Sequence, residues 1–216
     1  MNAKLSDFSA AIFDLDGTLA DSNTVWDKLD RMILEKYALT ADDELVSKLA
    51  SMTYQQAADA LRKLGIPITD EEFTKEINVL AKLEYENNIP LKPYASELLR
   101  EMKAIGMKLV LATGSPAELF EPLLRRHDVY SLFDGFITTD EVGKSKDQPD
   151  IYIKAAEIAG FPLSECVIFE DTLTAVRTAS KTGAYVCAVY DKYSEQSIEE
   201  IKRSSDKYVY SFTNLL

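Results

Sequence analysis

Two carboxylates, Asp14 and Asp16, follow directly on the apolar run Ala10-Ala11-Ile12-Phe13, and Gly17 and Thr18 come next. The run is too short for a helix, and its β-branched and aromatic members suit a strand buried on both faces. If the chain stays extended through Asp16, the period of two puts both carboxylates on one side, about 6 to 7 Å apart at Cα. Like charges that close require a cation or a shared proton. Gly17 lets the backbone turn sharply, and Thr18 offers a hydroxyl or an N–H to an anion. An ordinary polar turn after a strand explains the same tetrapeptide. A calcium-binding EF-hand loop counted from Asp14 does not, because Thr18 holds its fifth place and Val25 the twelfth, where a Glu is required.

Three further groups carry chemistry. Thr113 and Gly114 lie between an apolar run and Ser115-Pro116-Ala117-Glu118, which reads as a helix start with Ser115 as N-cap and Glu118 closing a capping box. Backbone N–H groups and the helix dipole gather an anion at such a junction, although a purely structural turn uses the same residues. Lys144 and Lys146 stand in a polar loop, where a lysine is by default a solvated charge. Glu170 and Asp171 end the run Cys166 to Phe169, and Asp171 would serve equally as a helix N-cap. Cys166 and Cys187 sit in apolar runs without a Cys-x-x-Cys pattern and are expected in the core. The lone His127 closes a helical stretch, where a cation meets the helix dipole. Acid–base and nucleophilic work therefore falls to carboxylates, lysines or a metal.

The elements that must position these groups form two patterns. From Ser22 to about Glu86 only helices are legible: Val25, Trp26, Leu29, Met32, Ile33 and Tyr37 mark one apolar stripe, and Thr53 with Gln56 and Thr69 with Glu72 open helices near Tyr54–Lys63 and Asp70–Glu86. From Leu91 onward helices alternate with strands at Met107–Ala112, Phe133–Thr138, Cys166–Phe169, Ala184–Val189 and Lys207–Tyr210. Residues 139–152 read as a loop entering a helix, and Ser194–Lys202 as a late helix. This predicts an α/β protein: a Rossmann-like parallel sheet core flanked by helices, residues 1–21 and 88–216, with an all-helical cap, residues 22–87, inserted after the first strand. In such a sheet all strand C-termini share one edge, so Asp14, Asp16, Thr113, Glu170 and Asp171 would meet in one crevice. Carboxylates meeting there without His or Cys make a hard site, better suited to Mg²⁺ than to zinc or copper.

A hydrophobic share of 46% and a charged share of 28% suit a soluble globular protein. The net charge of −12 argues against nucleic acid or an anionic membrane as partner. No run reaches the ~18 to 20 apolar residues of a membrane span, and Met1 to Ser9 lacks a signal-peptide core, so a cytoplasmic protein is expected.

The stretch Phe13-Asp14-Leu15-Asp16-Gly17-Thr18-Leu19-Ala20-Asp21-Ser22 resembles the nucleophile motif of the haloacid dehalogenase superfamily, and the later motifs follow in that family's order. The resemblance implies that Asp14 attacks phosphorus and Asp16 moves protons. It makes Thr113 and Gly114 ligands of the phosphoryl oxygens. Lys146 takes the register of the family lysine ahead of Pro149-Asp150-Ile151-Tyr152, with Asp147 where a proline is usual, and is preferred over Lys144. It implies a Mg²⁺ site of Asp14, Asp16 through its backbone carbonyl, Glu170 and Asp171. Within the family the chain looks most like the β-phosphoglucomutase and phosphoglycolate phosphatase subgroup. Ser51-Met52-Thr53-Tyr54-Gln55 lacks the mutase's phosphate-gripping Arg, and Pro116 stands where the mutase has a Lys. The expectation is thus hydrolysis of a small phosphorylated metabolite by a monomer, a dimer staying open. A mutase, and a non-catalytic phosphometabolite-binding module, are the alternatives. Asn23, Trp26 and Tyr54 are candidates to face the leaving group.

Overall fold

The computed structural model describes residues 4–42, 45–46, 49, 52 and 54–216. It divides into two compact units, one of Met1–Asp21 with Pro90–Leu216 and one of Ser22–Ile89.

The first unit is built on six parallel strands, β1 Ala10–Phe13, β2 Lys108–Thr113, β3 Gly135–Thr138, β4 Cys166–Glu170, β5 Tyr185–Val189 and β6 Lys207–Val209, in the order β3-β2-β1-β4-β5-β6. The earliest strand is thus central, and the sheet grows outward from it in both directions. Every residue of β1 and β4 is buried, which explains why both read as unbroken apolar runs. Alternate residues serve the two faces. Ala10, Ile12, Val110, Ala112 and Ile168 join one core cluster with Tyr152, Ala155 and Val176. Phe13 and Phe169 stack on each other, ring centres 4.4 Å apart. Burying each of these two rings contributes about 2 to 3 kcal/mol.

Helices α4 Ala95–Ala104, α5 Ala117–Arg126, α7 Asp150–Ala159, α8 Leu173–Ser180 and α9 Ile198–Ser204 connect or flank the strands, with a single turn α6 Thr139–Val142 after β3. The two segments of this unit close on each other. Asp21 N–H donates to Pro90 O at 3.0 Å and Lys92 N–H to Leu19 O at 2.8 Å.

The second unit holds α1 Thr24–Lys36, α2 Tyr54–Lys63 and α3 Asp70–Asn87. The Thr69 and Glu72 side chains form the reciprocal capping box that opens α3. Lys28 Nζ reaches Glu84 at 2.7 Å across α1 and α3. The expected Thr53 box lies outside the described residues.

Four local expectations need correction. Ser115 does not cap α5, whose N-cap is Pro116 in an extended conformation. Residues 139–152 do not begin as a loop, because Thr138 caps α6 in a box with Glu141. The strand expected from Phe133 begins at Gly135, after a 3-10 turn over Tyr130–Leu132. The helix expected over Ser194–Lys202 is a 3-10 turn Lys192–Ser197, opened by the Asp191 side chain, followed by α9.

Candidate active site

The strand order reverses at β1, with β2 on one side and β4 on the other, and the polar residues that end these three strands gather at that switch point. Phe13 pairs in register with Leu111 of β2 and Phe169 of β4, so residues just beyond each are neighbours. Asp14 N–H donates to Phe169 O at 3.0 Å and extends the ladder by one residue, which fixes the direction of the Asp14 side chain. The chain then turns at Gly17, whose φ of 82° is costly for any residue with a Cβ. Leu15 O accepts the N–H groups of Thr18, Leu19 and Ala20, so the loop carrying Asp16 is closed on itself.

Asp14, Glu170 and Asp171 are all buried, and their carboxylate oxygens lie within 4.8 Å of one another. Lys146 enters this cluster from the loop after α6, its Nζ 2.5 Å from Asp14 Oδ1 and 2.6 Å from Glu170 Oε1. Lys144, two residues earlier, pairs instead with Asp150 on the surface at 2.7 Å. Thr18 Oγ1 donates to Asp171 Oδ1 at 3.3 Å. Asp171 Oδ2 is buried and takes no hydrogen bond among the described residues.

The electrostatics of the cluster are unbalanced. Burial, opposed by Lys146 and reinforced by Asp16, holds the Asp14 carboxyl above its ordinary value. Burial pushes Glu170 up to about 7 despite the pull of Lys146. Asp171 is raised well above its ordinary range, by burial and then by Asp14 and Glu170. For Lys146 burial favours the neutral amine, but the Asp14 and Glu170 charges outweigh it and hold it protonated. Full ionisation of the three carboxylates would leave two negative charges beyond the one that Lys146 offsets, in a desolvated site, and the raised pKa values express that cost. A divalent cation with oxygen ligands matches both that deficit and the orphaned oxygen of Asp171.

Thr113, the last residue of β2, is fully buried, and its Oγ1 accepts Ser115 N–H at 3.0 Å. Ser115 Oγ donates to Asp16 Oδ2 at 2.6 Å. Gly114 lies between them in the turn that leads to α5; a Cβ there would meet Thr139 Oγ1 at 3.8 Å, an ordinary contact. The sequence singled out neither Ser115 nor Tyr152 as a site residue. Tyr152, fully buried on α7, donates its hydroxyl to Glu170 Oε1 at 2.8 Å, the same oxygen that takes Lys146. The signal for Tyr152 was its place in the Pro149-Asp150-Ile151-Tyr152 run. For Ser115 it was its place two residues past Thr113.

Comparison with known proteins adds a second line. The family model described as haloacid dehalogenase-like hydrolase matches residues 8–183. A Drosophila melanogaster protein named "Probable pseudouridine-5'-phosphatase" is 30% identical over 197 residues, covering 88% of this chain and 85% of its own. A "Phosphorylated carbohydrates phosphatase" of Thermotoga maritima is 28% identical over 175 residues, 81% of each chain. The crystal structure of a "putative beta-phosphoglucomutase" from Thermotoga maritima superposes with a TM-score of 0.82 at 25% identity, over 93% of this chain and 94% of that one. The six-stranded parallel sheet, the acidic cluster at its switch point and the match over residues 8–183 agree: the chain is an enzyme that belongs to the haloacid dehalogenase-like hydrolases.

Proposed function

We propose that the chain is a Mg²⁺-dependent phosphatase of small phosphate monoesters, of the sugar-phosphate or phosphoglycolate type, working through an aspartyl-phosphate. The observation that carries this reading is the contact of Lys146 with both Asp14 and Glu170 beside an Asp171 oxygen with no hydrogen-bond partner among the described residues. Asp14 Oδ attacks phosphorus, the bond from phosphorus to the ester oxygen breaks, and Asp16 gives its proton to the departing alkoxide. Water then attacks the same phosphorus, Asp16 takes back a proton, and the bond to Asp14 breaks to release phosphate. Lys146 offsets charge on the phosphoryl oxygens while staying paired with Asp14. Thr113 and Gly114, at the junction of β2 and α5, hold those oxygens. Asp14, Glu170 and Asp171, with the backbone carbonyl of Asp16, would hold Mg²⁺, which supplies charge neutralisation at the phosphoryl group. Residues 1–21 and 88–216 form the catalytic core in this reading and residues 22–87 a cap that selects the leaving group. The relatives named for phosphatase activity support it.

A phosphosugar mutase is the second reading, favoured by the structural likeness to the Thermotoga chain. A phosphate-release screen over small phosphate esters, with and without Mg²⁺ and with Asp14→Asn alongside, separates them. Release that disappears on removing either the metal or Asp14 supports the phosphatase. Isomerisation of β-glucose 1-phosphate to glucose 6-phosphate without net phosphate overturns it in favour of the mutase.

A further inference from the structure

Beside the acidic cluster stands a buried ion pair that no step of the phosphoryl chemistry uses. Lys92 Nζ lies 2.9 Å from Asp191 Oδ2 and 2.5 Å from Tyr190 O, and the two side chains are 13% and 4% exposed. Both partners are held in place. Lys92 N–H donates to Leu19 O at 2.8 Å, in the turn that follows Asp16, and Asp191 Oδ1 accepts Tyr193 N–H at 2.9 Å.

Stability alone is a poor reason for such a pair, because desolvating two charges offsets most of their attraction and apolar residues of similar volume serve as well. Its position supplies another reason. Glu170 of β4 pairs in register with Ala188 of β5, so Asp171 and Asp191 leave adjacent strands at the same edge of the sheet. The Asp171 carboxyl, raised first by burial and then by Asp14 and Glu170, is raised further by Asp191 and lowered by Lys92. The two members of the pair thus act on Asp171 with opposite sign. A charge that acts on Asp171 also acts on a cation held there, and in a desolvated site salt screens it little.

We propose that Lys92 and Asp191 tune the divalent-cation site: Asp191 deepens the negative field at Asp171, Lys92 offsets it, and the pair together sets the affinity for Mg²⁺. Both act through Asp171 and neither is a ligand. The proposal rests on the metal site of the phosphatase reading, and it holds whether water or a sugar accepts the phosphoryl group.

Isothermal titration calorimetry of the full chain with MgCl₂ at pH 8, with no phosphate ester present, reads that affinity without turnover. Asp191→Asn should weaken Mg²⁺ binding by roughly fivefold, because Lys92 is left without its counter-charge, and Lys92→Met should tighten it by a similar factor. The double variant removes one charge of each sign and should return to within about twofold of the unaltered protein. A pair with only a structural role would weaken binding in both single variants, with the double variant no better. Circular dichroism checks folding, and if Lys92→Met does not fold, Asp191→Asn and the double variant decide. Unaltered affinity in Asp191→Asn, weaker binding in Lys92→Met, or a double variant no tighter than Asp191→Asn would overturn the proposal and leave the metal site standing. Absence of Mg²⁺ binding to the unaltered protein would overturn the proposal together with the metal site on which it rests.

Discussion

Ser115 Oγ and Asp16 Oδ2 are 2.6 Å apart, joined by a hydrogen bond between residues 99 positions distant in the chain. The bond ties the loop after β1 to the turn after β2. It leaves Asp16 oriented by a group in the turn after β2 rather than by its own loop alone. With Asp16 as the proposed proton donor and acceptor, loss of that orientation would slow proton transfer more than it weakens substrate binding. Ser115→Ala should therefore lower kcat by roughly tenfold with KM changed little. Steady-state kinetics on a phosphate ester that the enzyme hydrolyses would test this, and a rise in KM at constant kcat would place Ser115 in binding instead.

The two loop lysines give opposite expectations. Lys146 is half-buried between Asp14 and Glu170, whereas Lys144 makes an exposed pair with Asp150. Lys146→Met removes the ammonium that contacts Asp14 and Glu170 and should reduce turnover by roughly 10²-fold or more. Lys144→Met disturbs a surface ion pair worth less than about 1 kcal/mol, and its turnover should stay within about twofold. Measuring kcat/KM for both variants distinguishes the two residues.

Much of this site was legible because short apolar runs end in polar residues. Ala10–Phe13 and Cys166–Glu170 are buried on both faces, so their sequences could be recognised without alternation, and the acids at their ends fell at one sheet edge by topology. Ser115 was misread for a physical reason. Ser-Pro-Ala-Glu satisfies every local rule for a helix start, yet Pro116 stays extended at ψ 160° and takes the cap position, which leaves the Ser115 hydroxyl for Asp16. No local rule contains a partner on another strand. Tyr152 stood in the sequence only as the last residue of the Pro149-Asp150-Ile151-Tyr152 run, and its hydroxyl meets Glu170 through tertiary packing. The turn of helix at Thr139–Val142 is too short to show a helical period.

The acidic cluster predicts a metal effect that can be read without turnover. On the proposed reading Mg²⁺ would bind the folded cluster and not the unfolded chain, so it should raise Tm with the logarithm of its concentration once that exceeds Kd. The shift should be lost in Asp171→Asn, which removes a carboxylate whose Oδ2 has no hydrogen-bond partner among the described residues. Differential scanning calorimetry with increasing Mg²⁺ gives the answer, and an equal shift in the variant would exclude Asp171 as a ligand.

Away from the site, Asp134 sets an acid limit on stability. Its carboxylate takes Lys103 at 2.7 Å, Leu109 N–H at 2.9 Å and Lys108 at 2.9 Å. Burial alone would raise its pKa, but these donors lower it to about 2. The folded value lies below the unfolded one, so the contribution is present above about pH 4 and is lost as pH falls toward 2. Solvent screening reduces it to about 1 kcal/mol. Asp134→Asn should cost that much in urea melts at pH 7, converge on the unaltered protein near pH 2, and leave turnover unchanged.

The central claim is that Asp14 carries the phosphoryl group. A reaction with a hydrolysed phosphate ester, quenched with borohydride during turnover, reduces an acyl phosphate to the alcohol and converts that aspartate to homoserine. Peptide mass mapping should find homoserine at position 14, and none in protein incubated without substrate. Turnover with Asp14 recovered unreduced, together with activity persisting in Asp14→Asn, would contradict the account.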